Sequence, residues 1–137
     1  MADLKLVEYA LYELLKNLAG GNVFAMRAKK GQQPPFIIFQ RLDSERWRSI
    51  NGPSGVAKPT VQIDCYDSGY YAAKNLSAQV EQLLDGFAGT VAYGSDSPQA
   101  TVKITGLTLQ NDLDIFDETD EPYLFRSSSK FTVTYEQ

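Results

Sequence analysis

Two stretches of the chain repeat their apolar residues at the spacing of an amphipathic helix. The first predicted helix runs from Asp3 to Ala19, with Asp3 as its N-cap and Gly20-Gly21 as its stop. The second begins at Asp67 or Ser68 and ends at Asp85-Gly86-Phe87. The apolar stripes comprise Leu4, Val7, Leu11, Leu14, Leu15 and Leu18 in the first helix, and Ala73, Leu76, Val80, Leu83, Leu84 and Phe87 in the second. A single apolar face on each helix predicts that both pack against a sheet.

Five further segments carry the apolar runs or the alternation that are typical of β-strands. They cover residues 22–29, 36–42, 60–67, 100–109 and 123–135. In the fourth segment the apolar parity switches at Gly106, which predicts a β-bulge there. The region 88–99 is rich in glycine, serine and proline, and is therefore expected to be loop.

The order of these elements predicts an α+β fold in a single domain over residues 1–137. We expect a mostly antiparallel sheet with the two helices packed on one face, and extended C-terminal strands. A long loop from Arg46 to Pro59 is expected between the second and third strands. Most connections span about 4–6 residues, and long ordered loops on a compact scaffold commonly contact a partner. This loop is therefore the first candidate for a functional surface.

Composition argues against catalysis. The chain has no histidine, and its only cysteine, Cys65, occupies an inward position of a predicted strand. Histidine is the commonest general base and metal ligand, and a nucleophilic thiol needs a base beside it. Carboxylate pairs remain possible, but the sequence singles out none. We therefore expect that the protein is not an enzyme, that it has no cofactor and that it has no metal site.

Charge and hydropathy further restrict the classes of partner that the protein is expected to bind. The net charge is −4 and the pI is near 4.8, which argues against sequence-independent DNA binding through a basic face. The N-terminal residues lack the layout of a signal peptide, and no run approaches the roughly 20 apolar residues that span a bilayer. We expect no membrane partner and synthesis in a reducing cytoplasm.

Two segments carry opposite charge. Residues 27–48 have a net charge of +4, and residues 112–121 have a net charge of −6. The bases are Arg27, Lys29, Lys30, Arg41, Arg46 and Arg48, and the acids of the second segment are Asp112, Asp114, Asp117, Glu118, Asp120 and Glu121. Separate patches of opposite sign allow head-to-tail association, which closes into a ring when the rotation per subunit permits. The alternative is that the two patches are neighbours within one subunit.

The acidic segment has three interpretations. One is a calcium loop, because Asp112-x-Asp114 resembles the start of an EF-hand. However, Phe116 stands at a ligand position and Asp117 at the required glycine. The second is a solvated hairpin tip. The third is an electrostatic surface that faces a partner or the lumen of a ring. The sequence leaves the last two open.

The long loop contains the residues that we expect at a subunit or tube interface. Arg46, Trp47 and Arg48 have the composition of an interface hot spot. Asn51, Gly52 and Pro53 follow them, and this part lacks the lysine and the helix of a phosphate-binding loop. The alternative for Trp47 is packing on its own domain.

The joint order of these features resembles the tail-completion, or tail-terminator, proteins of long-tailed bacteriophages. The features that carry the resemblance are Leu11-Tyr12-Glu13-Leu14-Leu15, Val23-Phe24, the turn before Phe36-Ile37-Ile38-Phe39-Gln40, Asn51-Gly52-Pro53-Ser54-Gly55, Val61-Gln62-Ile63-Asp64-Cys65-Tyr66, Tyr71-Ala72-Ala73-Lys74-Asn75-Leu76, Leu84-Asp85-Gly86-Phe87, and the Phe-x-Val-x-Tyr strand from Phe131 to Tyr135. Together they extend over nearly the whole chain.

The resemblance implies a structural, non-enzymatic virion protein with one tail-terminator-like domain. Such a protein forms a hexameric ring at the head-proximal end of the tail tube, ends tube growth and joins the tail to the head or neck. Its implied partners are other copies of itself, the tail tube protein and a neck or connector protein. DNA passes through the lumen without specific binding, and assembly takes place in the host cytoplasm. The alternatives are another neck component, such as a head-completion or connector protein, and a stand-alone cytoplasmic binding module.

Overall fold

The structure, a computed structural model, describes residues 7–26, 28, 31–43, 46–49, 52–57, 59–93, 100–117 and 124–136. These residues form two α-helices, a short 3-10 helix and eight strands of one sheet, so the predicted α+β class is confirmed. The elements are α1 Val7–Leu15, the 3-10 helix Ala19–Gly21, β1 Val23–Ala25, β2 Phe36–Asp43, β3 Arg46–Ser49, β4 Gly52–Ala57, β5 Thr60–Asp67, α2 Tyr70–Leu84, β6 Gly89–Tyr93, β7 Ala100–Asp117 and β8 Leu124–Glu136.

The last strand, β8, is the centre of the sheet. It pairs with β5 over residues 125–132 and with β4 at Tyr135 and Glu136, while β7 lies along its other side. The sheet continues from β5 through β2 to β1, from β4 to β3, and from β7 to β6. The sheet is mixed, since β1 runs parallel to β2 and the other pairings are antiparallel.

The hydrophobic core lies between the sheet and the two helices. Helix α2 contacts β5, β7 and β8, and α1 contacts β1, β6, β7 and α2. Because β1 and β6 belong to opposite ends of the sheet and both contact α1, the sheet curls around this helix. Among the residues whose burial the structure describes, the largest fully buried side chains are Phe131, Leu11, Leu15, Ile37, Ile63, Leu84, Ile104, Leu107, Val61, Val80 and Val102. Removing these apolar surfaces from water is the main force that stabilises the fold.

Alternation along β5 and β7 follows the sequence pattern. Val61, Ile63 and Cys65 are at most 1% exposed, so the inward position of Cys65 is confirmed. Burial, with the nearby charge of Asp64, raises the pKa of the Cys65 thiol and keeps it protonated. The pairing of β7 with β8 shifts between Ile104 and Gly106, which confirms the predicted bulge.

The prediction of a continuous loop from Arg46 to Pro59 is wrong. The described part of this segment contains β3 and β4, which pair with each other as an antiparallel hairpin. The sequence of β4 does not predict a strand, because it contains glycine and proline and both are depleted in strands. The strand forms because Val56 and Ala57 pair with Glu136 and Tyr135, at the opposite end of the chain.

The loop prediction for residues 88–99 is also wrong in part. Strand β6 occupies Gly89–Tyr93 and pairs in register with β7 from Ala100 to Ile104. Its glycine start and its single buried valine, Val91, give too little alternation to identify it from the sequence. Antiparallel pairing with β7 therefore determines this short strand.

The helix boundaries differ from the predictions at the end of α1 and at the start of α2. Helix α1 ends at Leu15, before the predicted glycine stop, and Asp3 lies outside the described residues. The N-cap of α2 is Gly69, which makes no side-chain capping bond; the Asp67 carboxylate accepts a hydrogen bond from the Ser68 N–H at 2.7 Å instead. The predicted end of α2 is confirmed, because Gly86 adopts φ = +81°, which glycine takes without strain.

The apolar stripe of α2 needs one correction. Leu83 is 40% exposed, whereas Ser77 is buried in the stripe and its Oγ lies 3.3 Å from that of Ser129 on β8. This hydrogen bond satisfies two hydroxyls where α2 crosses the central strand.

No helix in the described part of the chain has the length and apolar character needed to cross a membrane.

Candidate interaction surface

The hairpin β3–β4 carries most of the predicted interface residues. Arg46, Trp47 and Arg48 lie on β3, while Gly52 and Pro53 lie on β4 opposite Ser49 and Arg48. Asn51 lies outside the described residues. Because successive strand residues alternate between faces, Arg46 and Arg48 share one face of β3 and Trp47 occupies the other.

The hairpin extends past the end of the sheet. In the described part of β4 only Val56 and Ala57 pair with β8, whose last residue is Glu136. Strand β3 is the terminal strand on this side, and its outer edge pairs with no strand that the structure describes. An unpaired strand edge presents a row of backbone N–H and C=O groups to any partner that can supply another strand.

The acidic segment begins on the other long strand of the sheet. Asp112, Asp114 and Asp117 lie on β7, opposite Ser129, Ser127 and Leu124 of β8. The remaining predicted acids, Glu118, Asp120 and Glu121, lie outside the described residues. Because its first half is a paired strand, the segment does not have the helix-flanked loop of an EF-hand.

Residues 46–48 of the basic segment and the acidic part of β7 lie toward opposite ends of β8, whereas Arg41, on β2, lies level with Phe131 near the middle of that strand. The acidic end of β7 pairs with β8 at Leu124, whereas the hairpin β3–β4 joins it at Glu136. The acidic residues described on β7 lie opposite residues 124–129 of β8, which are 7 to 12 residues from Glu136, or about 23–40 Å of extended chain. Charges so far apart, beyond the Debye length of about 8 Å at physiological salt, do not neutralise each other across solvent. Basic residues of the same subunit lie nearer to the acidic strand, since Lys130 and Arg126 of β8 pair with Asn111 and Ile115.

The outer edge of β7 is protected along one half only. Strand β6 covers residues 100–104, and the C-terminal turn of α2 covers the next part. There the Gly86 N–H donates to the Leu107 carbonyl at 2.7 Å, and the Leu109 N–H donates to the Asp85 carboxylate at 3.0 Å. From residue 111 to residue 117 no described strand lies beside this edge. Leu113, in the middle of it, is 62% exposed.

The sequence analysis did not identify Leu113 as an exposed residue on the edge strand. It also did not identify the hydrogen bond by which Asp85 covers part of that edge. The sequence signal for Leu113 is its place between Asp112 and Asp114, which gives an apolar residue on the opposite face from the acids. No local sequence pattern predicts that the Asp85 carboxylate accepts a hydrogen bond from the Leu109 N–H, because this contact depends on how α2 packs beside β7.

Carboxylates accumulate where α2 faces the acidic end of β7. Burial and the charge and hydrogen bond of Asp112 raise the pKa of Glu81, with a smaller contribution from Asp85, while Lys74 opposes the shift. Within one subunit these like charges destabilise each other. A positively charged partner at this end of β7 would relieve the repulsion.

We expect Glu81→Gln to stabilise the protein at pH 8 by a few tenths of a kcal/mol, as is usual for a surface change. The folded-state pKa of Glu81 lies above the ordinary value of 4.5, so the charge penalty is absent below 4.5, grows between 4.5 and the raised pKa, and is complete above the raised pKa. The gain should therefore disappear near pH 4. Urea unfolding at both pH values measures it.

Glu13→Gln is the matched control for this change, because Glu13 forms an ion pair with Lys16 at 2.6 Å on α1. Its loss is not expected to stabilise the protein at either pH. Equal gains for Glu81→Gln at pH 4 and pH 8 would contradict the assigned repulsion.

A shallow cleft lies elsewhere, between α1 and the ends of β1 and β2. Its volume is about 200 Å³, and its lining residues are Glu8, Ala25, Met26, Phe39, Gln40 and Arg41. The Arg41 Nε lies 3.3 Å from the Glu8 Oε1, so the charged groups of the cleft form an ion pair with each other. Pockets for small ligands usually measure about 300–1,000 Å³, so this cleft does not favour a small-molecule site. No three metal-ligating side chains in the described ranges are grouped to hold an ion.

Comparison with known proteins identifies a family and related solved structures. The model of the family described as tail completion protein gp17 matches residues 10–136. A chain in a solved structure of the virion of a native gene transfer agent (GTA) particle superposes with a TM-score of 0.71. The two chains are 16% identical, and the alignment covers 99% of this chain and 98% of that one, which shows a shared fold. A search of curated protein sequences finds no significant match.

Proposed function

This chain belongs to the tail completion protein gp17 family and is a structural protein of a phage-type tail, and we propose that it works as a ring. In this proposal six copies assemble at the head-proximal end of the tail tube. The ring ends tube growth and joins the tail to the head or neck. The tail tube protein binds one face of the ring, and a neck or connector protein binds the other.

The observation that carries the proposal is the separation of the two charged segments along β8. A basic hairpin toward one end of the strand and an acidic strand toward the other, about 23–40 Å apart, suit a heterologous contact between identical copies. Heterologous contacts generate closed rings when the rotation per subunit permits, whereas a two-fold contact stops at a dimer. The shared fold with a chain of the GTA virion is consistent with a role in such an assembly.

The same proposal includes a passive role toward DNA. The chain is acidic overall, with a net charge of −4, so its ring would repel the phosphate backbone and allow DNA to slide through the lumen. This requires no catalytic group and no base-specific contact. A reconstruction of the ring with a lumen lined by lysine and arginine would contradict this part of the proposal.

The direct test is electron microscopy of the purified protein in negative stain, with and without isolated tail tubes. We expect rings of six copies and tubes capped at one end, and native mass spectrometry at low salt should give the mass of a hexamer. Monomers alone, both in solution and in the presence of tubes, would reject the ring.

The second candidate is a neck component that binds the portal side, such as a head-completion protein. The β3–β4 hairpin extends past the sheet and suits attachment on either side of a ring. Adding the protein separately to isolated tubes and to filled heads distinguishes the two roles. Capping of tubes supports the tail role, and binding to heads alone supports the alternative.

A further inference from the structure

We propose that β3 of one subunit adds as a strand to the free outer edge of β7, residues 111–117, in the next subunit. The inference rests on the proposed ring and specifies its subunit contact. In this contact, main-chain hydrogen bonds between the two strands align the charged segments, in addition to the long-range attraction between their charges. The partner that this edge accepts is a second copy of the same chain.

Both edges are open in the described part of the chain. Strand β3 pairs with β4 on one side only, and β7 lacks a neighbouring strand beyond residue 109 on its outer side. The protein protects the rest of the β7 edge with β6 and with the Asp85–Gly86 turn. Folded proteins rarely leave a long strand edge uncovered. The uncovered part of the β7 edge, residues 111–117, is therefore where we expect a strand from a partner to pair.

The side-chain pattern of the two strands fixes their register. Arg46 and Arg48 are two residues apart on one face of β3, as Asp112 and Asp114 are on β7. When each arginine lies opposite an aspartate, Trp47 lies opposite Leu113. This central pair is the same whether the strands run parallel or antiparallel. Opposite charges and apolar pairs facing each other across strands stabilise pairing.

The irregularity in the hairpin leaves this spacing intact. The pairing of β3 with β4 shifts between Arg46 and Arg48, where the opposite positions are Ala57 and Pro53. The additional residues therefore belong to β4. Strand β3 keeps the regular alternation that the proposed pairing needs.

Charge also selects which strand is added. Two β7 edges placed side by side would bring aspartates together, and two β3 edges would bring arginines together, so both symmetric dimers are disfavoured. Only the pairing of β3 with β7 matches opposite signs. This pairing uses a different surface on each subunit, which is the condition for a ring.

Disulfide trapping tests the register. In the variant Trp47→Cys with Leu113→Cys, the new cysteines lie opposite each other across the interface, at a Cβ separation of about 4.5–5.5 Å that oxidation can close. The native Cys65 is buried and does not compete. With mild oxidant at high protein concentration, and again with tail tubes present, we expect ladders of linked subunits up to a closed ring on non-reducing gels.

Two matched variants control this result. Trp47→Cys with Tyr71→Cys keeps one partner and moves the other to a position on α2 that is 80% exposed, and it should give no ladder. Leu113→Cys alone should remain unlinked. A dimer formed by Leu113→Cys alone would indicate symmetric β7 pairing and would overturn the proposal.

Charge exchange between subunits gives a second, independent measurement. Arg46→Asp with Arg48→Asp makes β3 acidic, and Asp112→Arg with Asp114→Arg makes β7 basic, so each double variant alone should assemble about a hundredfold more weakly. When the two variants are mixed, every interface regains opposite charges. We expect rings of strictly alternating composition, three copies of each variant, in native mass spectra. This restoration also shows that both variants are folded.

The outcomes separate this contact from the ring itself. Wild-type rings together with no ladder and no restoration in the mixture would overturn the β3–β7 contact and leave the proposed function standing. Absence of any wild-type ring, with and without tubes, would instead reject the proposed function. Ladders and restored mixed rings support both.

Discussion

Replacing Phe131 by alanine is expected to lower the free energy of unfolding by about 3–5 kcal/mol. Phe131 is fully buried in the centre of β8, where it pairs with Val61 of β5 on one side and Leu109 of β7 on the other. Removal of the ring loses its hydrophobic transfer energy and leaves a cavity that strands on both sides prevent from closing. Small domains have a total stability of only about 5–15 kcal/mol, so this change is large.

Urea unfolding of Phe131→Ala measures the effect. With a slope of about 1–3 kcal/mol per molar urea, the midpoint should fall by about 1 M or more. Phe131→Leu retains much of the side-chain volume and should lose less stability, which keeps the comparison possible if the alanine variant does not fold. Leu113→Ala, at a site that is 62% exposed, should change stability by at most about 0.5 kcal/mol. Equal losses at Phe131 and Leu113 would contradict the described core.

Replacing Trp47 by alanine is expected to weaken association by about 2–4 kcal/mol while leaving the fold intact. At about 1.4 kcal/mol for each factor of ten, this corresponds to roughly 30-fold to 1,000-fold weaker assembly. The reason is the position of Trp47 on the hairpin β3–β4, which extends beyond the last pairing with β8. A tryptophan between two arginines on such an extension suits the desolvated centre of an interface.

Sedimentation and native mass spectrometry across a range of concentrations measure this loss, and urea unfolding checks the fold. The matched control is Tyr71→Ala, which removes another aromatic side chain from an exposed position on α2. The control should assemble and cap tubes as the wild type does. A Trp47→Ala protein that folds, assembles and caps tubes normally would remove Trp47 from the interface.

The two predictions test different parts of the molecule. The Phe131 change acts on the sheet–helix core, which holds β7 and β8 together. The Trp47 change acts on a hairpin that the core positions but does not contain. Opposite responses in the two measurements, loss of stability for one and loss of assembly for the other, would separate folding from assembly in this protein.

Much of the candidate surface could be identified from the sequence, because charge and aromatic composition need no structure. Arg46, Trp47 and Arg48, and the acids that begin at Asp112, are apparent as segments of opposite sign. What the sequence could not show is their distance. Both segments join β8, and their separation along it depends on which residues of β4 and β7 pair with its two ends.

The open edge of β7 illustrates why local patterns have a limit. Alternation of apolar residues reports which face of a strand is buried, but it carries no information about which edge is paired. Asp85 and Gly86 protect Leu107 and Leu109 only because α2 ends beside them. Whether an edge is open is therefore a property of the assembled sheet.

The sequence by itself determined the α+β class, the inward position of Cys65, the bulge at Gly106 and the end of α2 at Gly86. Each of these follows from short-range side-chain periodicity or from the backbone freedom of glycine. The tertiary structure alone decided that β3, β4 and β6 are strands and that residues 46–48 and the acidic part of β7 lie toward opposite ends of β8. The pairing of β4 with β8 joins residues far apart in the chain, and such hydrogen bonds form only when the core brings the strands together. Strands β3 and β6 pair with the strand that follows each of them, but neither has the apolar alternation that would identify it from the sequence.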